Sequence, residues 1–378
     1  MMRTMEMMPP MDPKDIKTQS YTRNKNPESL KTPEANVLPR TADGRYECVK
    51  NLGEGGFGVV YRAERIYTDK DGKERMREPV VIKILKDDAF DSLNGRERFI
   101  REFEALRAVS ENPYISTLLD LTTTESGELA IVMKDMGEDV KDLSKMMNRY
   151  FSEEETSNIA IQLCFALRDL HKNGLIHRDI KPENVLISDD GGERYVNLID
   201  LGVVRLNNEM PKSLKLEDSQ EILKLHDTGE YQQPPLTQED TVVGSLIYLD
   251  PETVVPDGKK ADVMSDLYAL GTMLYSMHSG SLPFPISVRQ PFDPNKYIEE
   301  RVYSEAQPLH ERLNKAEPSL FDQIITQLLK RDPEERKTLI FNGEEIKLDS
   351  AYHVAEALKM AAVLEDPSLR VKYPYVLV

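Results

Sequence analysis

Residues 175–202 read L-I-H-R-D-I-K-P-E-N-V-L-I-S-D-D-G-G-E-R-Y-V-N-L-I-D-L-G. Two apolar runs, Val185 to Ile187 and Val196 to Ile199, flank the turn cluster Asp189-Asp190-Gly191-Gly192, a pattern that predicts a β-hairpin preceded by a polar loop. The two ends of one hairpin converge, so Asp179, Lys181, Asn184 and Asp200 are expected near one another. A carboxylate that can take a proton, a lysine that offsets anionic charge, and an amide and a second carboxylate that offer hard oxygen ligands to magnesium form a chemically coherent set. Asp and Asn around a hairpin also serve as ordinary turn residues.

The combined string narrows that choice. H-R-D-x-K-x-x-N followed by D-L-G resembles the catalytic loop and metal-binding turn of the protein kinase family. The resemblance implies that Asp179 orients and deprotonates a hydroxyl, Lys181 steadies a γ-phosphate, and Asn184 and Asp200 hold Mg2+.

Upstream, Gly53-Glu54-Gly55-Gly56-Phe57-Gly58 stands between two β-rich runs. A dinucleotide fold needs a helix directly after such a motif, whereas V-V-Y-R-A-E-R-I-Y-T alternates like a strand. Strand, glycine turn, strand is a context in which backbone amides cover a triphosphate. In the family, Val60 then lies over adenine. Asp71-Gly72 predicts a second hairpin into the strand Pro79 to Leu85. Lys83 interrupts that strand, so its ammonium either snorkels or meets an anion. V-V-I-K resembles the family's V-A-I-K, whose lysine pairs with nucleotide phosphates and a helix glutamate. On that reading Lys83→Met abolishes phosphate transfer and leaves the melting temperature nearly intact.

A helix is predicted over Gly95 to Val109, with Phe99, Ile100, Phe103 and Leu106 on its inward face. Glu102 falls on that face and Glu97 and Glu104 do not, which selects Glu102 as the Lys83 partner; a surface pair with Arg98 is the alternative. Strands over Asn112 to Thr123 and Leu129 to Met133 complete a β-rich small lobe. The resemblance makes Met133 the residue behind the nucleotide pocket and Lys134, Asp135 and Met136 the hinge, whose backbone groups bind adenine. From Glu153 the spacing of Ile159, Leu163, Ala166, Leu167 and Leu170 predicts a long helix ending at Gly174.

The segment from Asp200 to Glu252 is 53 residues long, with a Pro-rich, charged insertion over residues 206–240. Its end, T-V-V-G-S-L-I-Y-L-D-P-E from Thr241, resembles the family's T-x-x-G-T-P-x-Y-x-A-P-E. This implies an activating phosphosite at Thr241, whose phosphate docks on Arg178, and a substrate-facing Ser245 that marks Ser/Thr specificity. Asp250 replaces the usual Ala and is expected near the substrate groove. The Asp266 helix resembles the one that anchors the catalytic loop, and Arg336 is expected to pair with Glu252. Beyond it, Asn342-Gly343 predicts a small hairpin and Ala351 to Leu364 a final helix.

Together the resemblances imply a two-lobed α+β protein kinase fold: a leader over residues 1–43, a small lobe over 44–136, a mainly helical lobe over 137–365 and a tail over 366–378. The implied activity is ATP- and Mg2+-dependent phosphorylation of protein Ser/Thr hydroxyls. An ATP-binding pseudokinase scaffold is the alternative, although such proteins usually lack the strand lysine or a catalytic Asp. Small-molecule kinases generally lack the D-P-E and Arg336 features.

Composition sets the remaining expectations. The 49 basic against 66 acidic residues give a formal charge of -17, which argues against nucleic acid or anionic membrane as a partner. Cys48 and Cys164 show no metal-ligand spacing and fit buried thiols in a reducing compartment, so a cytoplasmic protein is expected. No apolar run approaches the ~20 residues of a membrane helix.

Overall fold

The protein is described by a computed structural model, in which residues 38–54, 58–86, 93–137, 140–190, 193–201, 205–206, 247–254, 260–284 and 300–366 are placed. The chain divides into two compact units, Met1–Glu111 with Ser116–Glu138, and Asn112–Ile115 with Asp139–Val378. Gly55, Gly56, Phe57, Gly202, Thr241 and Ser245 lie outside the described residues, as do residues 1–37, 207–240 and 367–378.

The first unit is an antiparallel five-stranded sheet with one long helix. Its strands are β1 (Tyr46–Glu54), β2 (Gly58–Thr68), β3 (Glu74–Leu85), β4 (Leu118–Thr123) and β5 (Leu129–Lys134), in the order β1-β2-β3-β5-β4; α1 (Leu93–Ala108) follows β3 in the chain. Register assigns the two faces. Val60 pairs with Lys83 and Lys83 with Ile131, while Arg62 pairs with Val81 and Val81 with Met133. Directly paired residues project to the same side of a sheet and alternate residues do likewise. Val60, Arg62, Val81, Lys83, Ile131 and Met133 therefore share one face. The other carries a core of Tyr46, Cys48, Ala63, Val80, Ile82, Ile84, Ala130 and Val132. Gly58 is required where β2 starts, because a Cβ there would stand 2.8 Å from the Ile84 carbonyl oxygen.

Two strand boundaries differ from the sequence expectation. β3 begins at Glu74 rather than Pro79, in a stretch whose side chains are all exposed. Apolar alternation does not mark such an extension; cross-strand pairs do, among them Arg77 with Glu64 at 2.6 Å and Tyr67 with Glu78. Residues 112–117 are not a strand, and Asn112–Ile115 belongs to the second unit. The Asn112 amide donates to the Phe165 carbonyl at 3.1 Å and the Asp169 carboxylate at 2.7 Å, while its own oxygen accepts from the Tyr114 N–H. Those three bonds compete successfully with a sheet ladder.

The second unit is mainly helical. Its long helix α2 (Glu153–Lys172) starts with a reciprocal Ser152/Glu155 capping box, and Gly174 follows its end with φ +71°. The apolar residues that predicted the helix are buried. The hairpin of the opening stretch forms from β6 (Val185–Asp190) and β7 (Glu193–Leu198). Asp189 and Asp190 extend the first strand instead of forming the turn. Helices α3 (Val263–Ser279), α4 (Leu320–Leu328) and α5 (Ala351–Glu365) complete the core. Between α4 and α5 stands the small hairpin Thr338–Phe341/Glu344–Lys347, turning through Asn342 and Gly343 at φ +52° and +85°. No helix among the described residues is long and apolar enough to cross a membrane.

Candidate active site

In the first unit, the Lys83 ammonium donates to both Glu102 carboxylate oxygens, at 2.6 and 2.7 Å. The sheet places Lys83 on the Val60 face, and α1 presents Glu102 on its buried side, where the residue is 4% exposed. An ammonium held by one carboxylate keeps hydrogens for a further anion, since Lys carries three donors. Glycine-loop residues Gly53 and Glu54 end the exposed part of β1, and Glu54 accepts from Lys86 at 2.7 Å. Met133, Asp135 and Met136 are half-buried at and beyond the end of β5.

In the second unit, the loop between α2 and β6 carries the rest. Lys181 Nζ lies 2.8 Å from Asp179 Oδ2. The Asn184 amide donates to that same oxygen at 2.9 Å and to the Asp179 carbonyl at 2.8 Å. Both of its hydrogens are thus committed to Asp179, which leaves Asn184 Oδ1 as the group available to a cation. A short 3-10 turn, Pro182–Asn184, connects this loop to β6, and the Ile199 N–H donates to the Asn184 carbonyl at 2.9 Å. Asp200 therefore leaves β7 beside Asn184, with a left-handed backbone at φ +61° and an exposed side chain.

The loop is pinned from beneath by Asp266, which is fully buried in the first turn of α3. Its carboxylate accepts from the His177 N–H at 2.9 Å and the Arg178 N–H at 2.8 Å, and pairs with His171 Nε2 at 2.9 Å. Burial alone would raise its pKa, but the His171 hydrogen bond, the two imidazoles and the Arg178 N–H hold it below the ordinary value. Arg178, at φ +69°, sits in a conformation that L-residues adopt only when the surroundings dictate it. Asp266 supplies that constraint, so Asp179 is delivered by a loop with little freedom.

Farther on, Arg336 forms a bidentate pair with Glu252 at 2.6 and 2.7 Å, fully buried against the Tyr268 ring. Asp250 turns inward rather than toward a substrate groove. It is 2% exposed and accepts from Ser265 Oγ at 3.0 Å and from Thr253 Oγ. Burial first, and then the neighbouring Glu252 charge, push its carboxyl up to about 7.

Among the described residues no group of three or more His, Cys, Asp and Glu side chains is arranged to hold a metal alone. One carboxylate and one amide oxygen suit a magnesium ion that takes its other ligands from water and a polyphosphate. Sequence reasoning missed the side-chain roles of Asp135 and Arg62: Arg62 Nε donates to Asp135 Oδ2 at 2.6 Å. No local signal marks that pair, because its members are 73 residues apart.

A family model described as the protein kinase domain matches residues 46–347. Among curated proteins, the chain is 28% identical over 348 residues to a Clostridium perfringens protein named "Probable serine/threonine-protein kinase", covering 90% of this chain and 43% of that one. It is 29% identical over 311 residues to "Serine/threonine-protein kinase pkn3" of Myxococcus xanthus, covering 81% of this chain and 50% of that one. A Corynebacterium efficiens protein of the same description as the first is 31% identical over 270 residues, or 68% of this chain and 35% of its own length. The chain spans half or less of the length of these relatives.

Proposed function

The chain belongs to the protein kinase domain family, and from that premise we propose that it transfers the γ-phosphoryl group of ATP, with Mg2+, to Ser or Thr hydroxyls of a protein substrate. The observation that carries the reading is the Asp179 carboxylate, gripped by Lys181 and Asn184 on a loop that Asp266 locks in place. Phosphoryl transfer needs little covalent work from the protein, so positioning and charge stabilisation dominate. The substrate hydroxyl oxygen forms a bond to the γ-phosphorus as the bond to the β-phosphate oxygen breaks. The hydroxyl proton goes to Asp179, and ADP departs with the leaving oxygen. Lys83, braced by Glu102, grips the α and β phosphates, and Lys181 offsets charge on the transferred group. When bound, Mg2+ supplies charge neutralisation, with Asn184 and Asp200 as its protein ligands.

Regulation is proposed to run through Thr241. A phosphate there carries nearly two charges and matches the Arg178 guanidinium, whose backbone Asp266 already fixes. The test of the activity is incubation with magnesium, γ-labelled ATP and a generic protein substrate, beside Asp179→Asn. Wild type is expected to label the substrate and the variant to lose nearly all of it. Equal incorporation by the two defeats the proposal.

A further inference from the structure

Segment Lys134–Gly137 is tied at three points, all within the first unit. The Lys134 N–H donates to the Thr117 carbonyl at 3.0 Å. One Asp135 carboxylate oxygen accepts from Arg62 Nε at 2.6 Å, and the other accepts from the Gly137 N–H at 2.9 Å. Gly137 has φ +102°, so the segment turns there. The pair is largely shielded, with side-chain exposure of 19% for Arg62 and 6% for Asp135. Arg62 stands two residues beyond Val60 on β2, on the sheet face that also carries Lys83 and Met133.

On the kinase reading, adenine is bound by backbone groups of Asp135 and Met136. Their orientation is set by whatever fixes this segment. Resting on that reading, we infer that the Arg62–Asp135 ion pair is a positioning device for the nucleotide base: it couples β2 to the hinge and sets affinity for ATP without touching the transferred phosphate. Arg62 is well suited to the task, since a guanidinium donates in a fixed plane while its stem lies along apolar surface. Asp135 acts at both ends of the device, holding the arginine with one oxygen and closing the Gly137 turn with the other.

The pair is tested by steady-state kinetics and direct Mg-ATP binding for Arg62→Met, Asp135→Ala and the double variant. Each single change is expected to raise KM and Kd for ATP about tenfold, equivalent to about 1.4 kcal/mol, with kcat at saturating ATP within about twofold. The double variant is expected to be no worse than Asp135→Ala alone, because that change already removes the ion pair together with the Gly137 bond. Arg62→Lys should recover part of the affinity. Arg77→Met, which breaks an exposed ion network on the same sheet, serves as control and should leave KM unchanged. Unchanged KM in Arg62→Met, an equal rise in the control, or a fall in kcat alone overturns the inference while the kinase reading stands. A wild-type protein that binds no ATP overturns both.

Discussion

Asp250→Asn isolates a buried titration that the fold imposes. The Asp250 carboxyl, ordinarily near 3.8, lies at about 7 in the folded protein because it is buried and faces Glu252, whose own charge is held by Arg336. Between those values the folded state binds a proton that the unfolded chain has released. Stability therefore falls as pH rises through the interval, and the contribution of the protonated carboxyl is complete only below about 4. At 1.36 kcal/mol per pH unit over about three units, the full swing is about 4 kcal/mol. Asn at this position stays neutral at every pH; its oxygen and its NH2 take the places of the two carboxyl oxygens that meet the Thr253 and Ser265 hydroxyls, and the hydroxyl beside the NH2 can turn to accept. A variant that matches wild type near pH 5 should exceed it by about 3 kcal/mol at pH 8, since about two of the three units of the interval lie above pH 5. The chain has no Trp, so urea unfolding from pH 5 to 8.5 is best followed by far-UV circular dichroism. Other groups titrate in this window, but they cancel in the difference between the two proteins. Parallel pH profiles, or a variant less stable than wild type at pH 8, would refute the assignment of a neutral, buried Asp250.

Lys83→Met is expected to abolish transfer, but the burial of its partner replaces the sequence expectation of a nearly unchanged melting temperature. With Glu102 only 4% exposed, removing its lysine should destabilise the fold by on the order of 3 kcal/mol. Adding Glu102→Gln should restore the unfolding midpoint but not activity; a single variant melting with wild type would show that the pair is energetically idle. Thr241→Val should cut kcat at least tenfold, with phosphate detected on Thr241 of active wild-type protein by mass spectrometry; an unmodified Thr241 in fully active protein would remove the switch.

What can be read from the chain without its structure follows from how far apart interacting residues lie. Asp179, Lys181, Asn184 and Asp200 fall within 22 residues, so one loop and one hairpin bring them together and local pattern suffices to see them. The same holds for the Asp71-Gly72 and Asn342-Gly343 turns, where the backbone adopts the positive φ that glycine permits. Glu102 was accessible because helical periodicity distinguishes an inward glutamate from its neighbours. Asn112 was not. Its apolar flank resembles a strand, but its amide is spent on Phe165 and Asp169, 53 and 57 residues away, and the segment leaves the sheet for the other unit. Asp250 likewise reads as a surface acid by composition, and only its proximity to Ser265 and Glu252 reveals a carboxyl kept inside. The Arg62–Asp135 pair obeys the same logic. Its residues are unremarkable in their own strands, and what they do depends on β3 standing between them and fixing which faces coincide. Motifs therefore announce the groups proposed to act on substrate. The groups that hold those motifs at working distance are set by strand order and register, and it is there that nucleotide affinity and pH response can differ between chains sharing every catalytic residue.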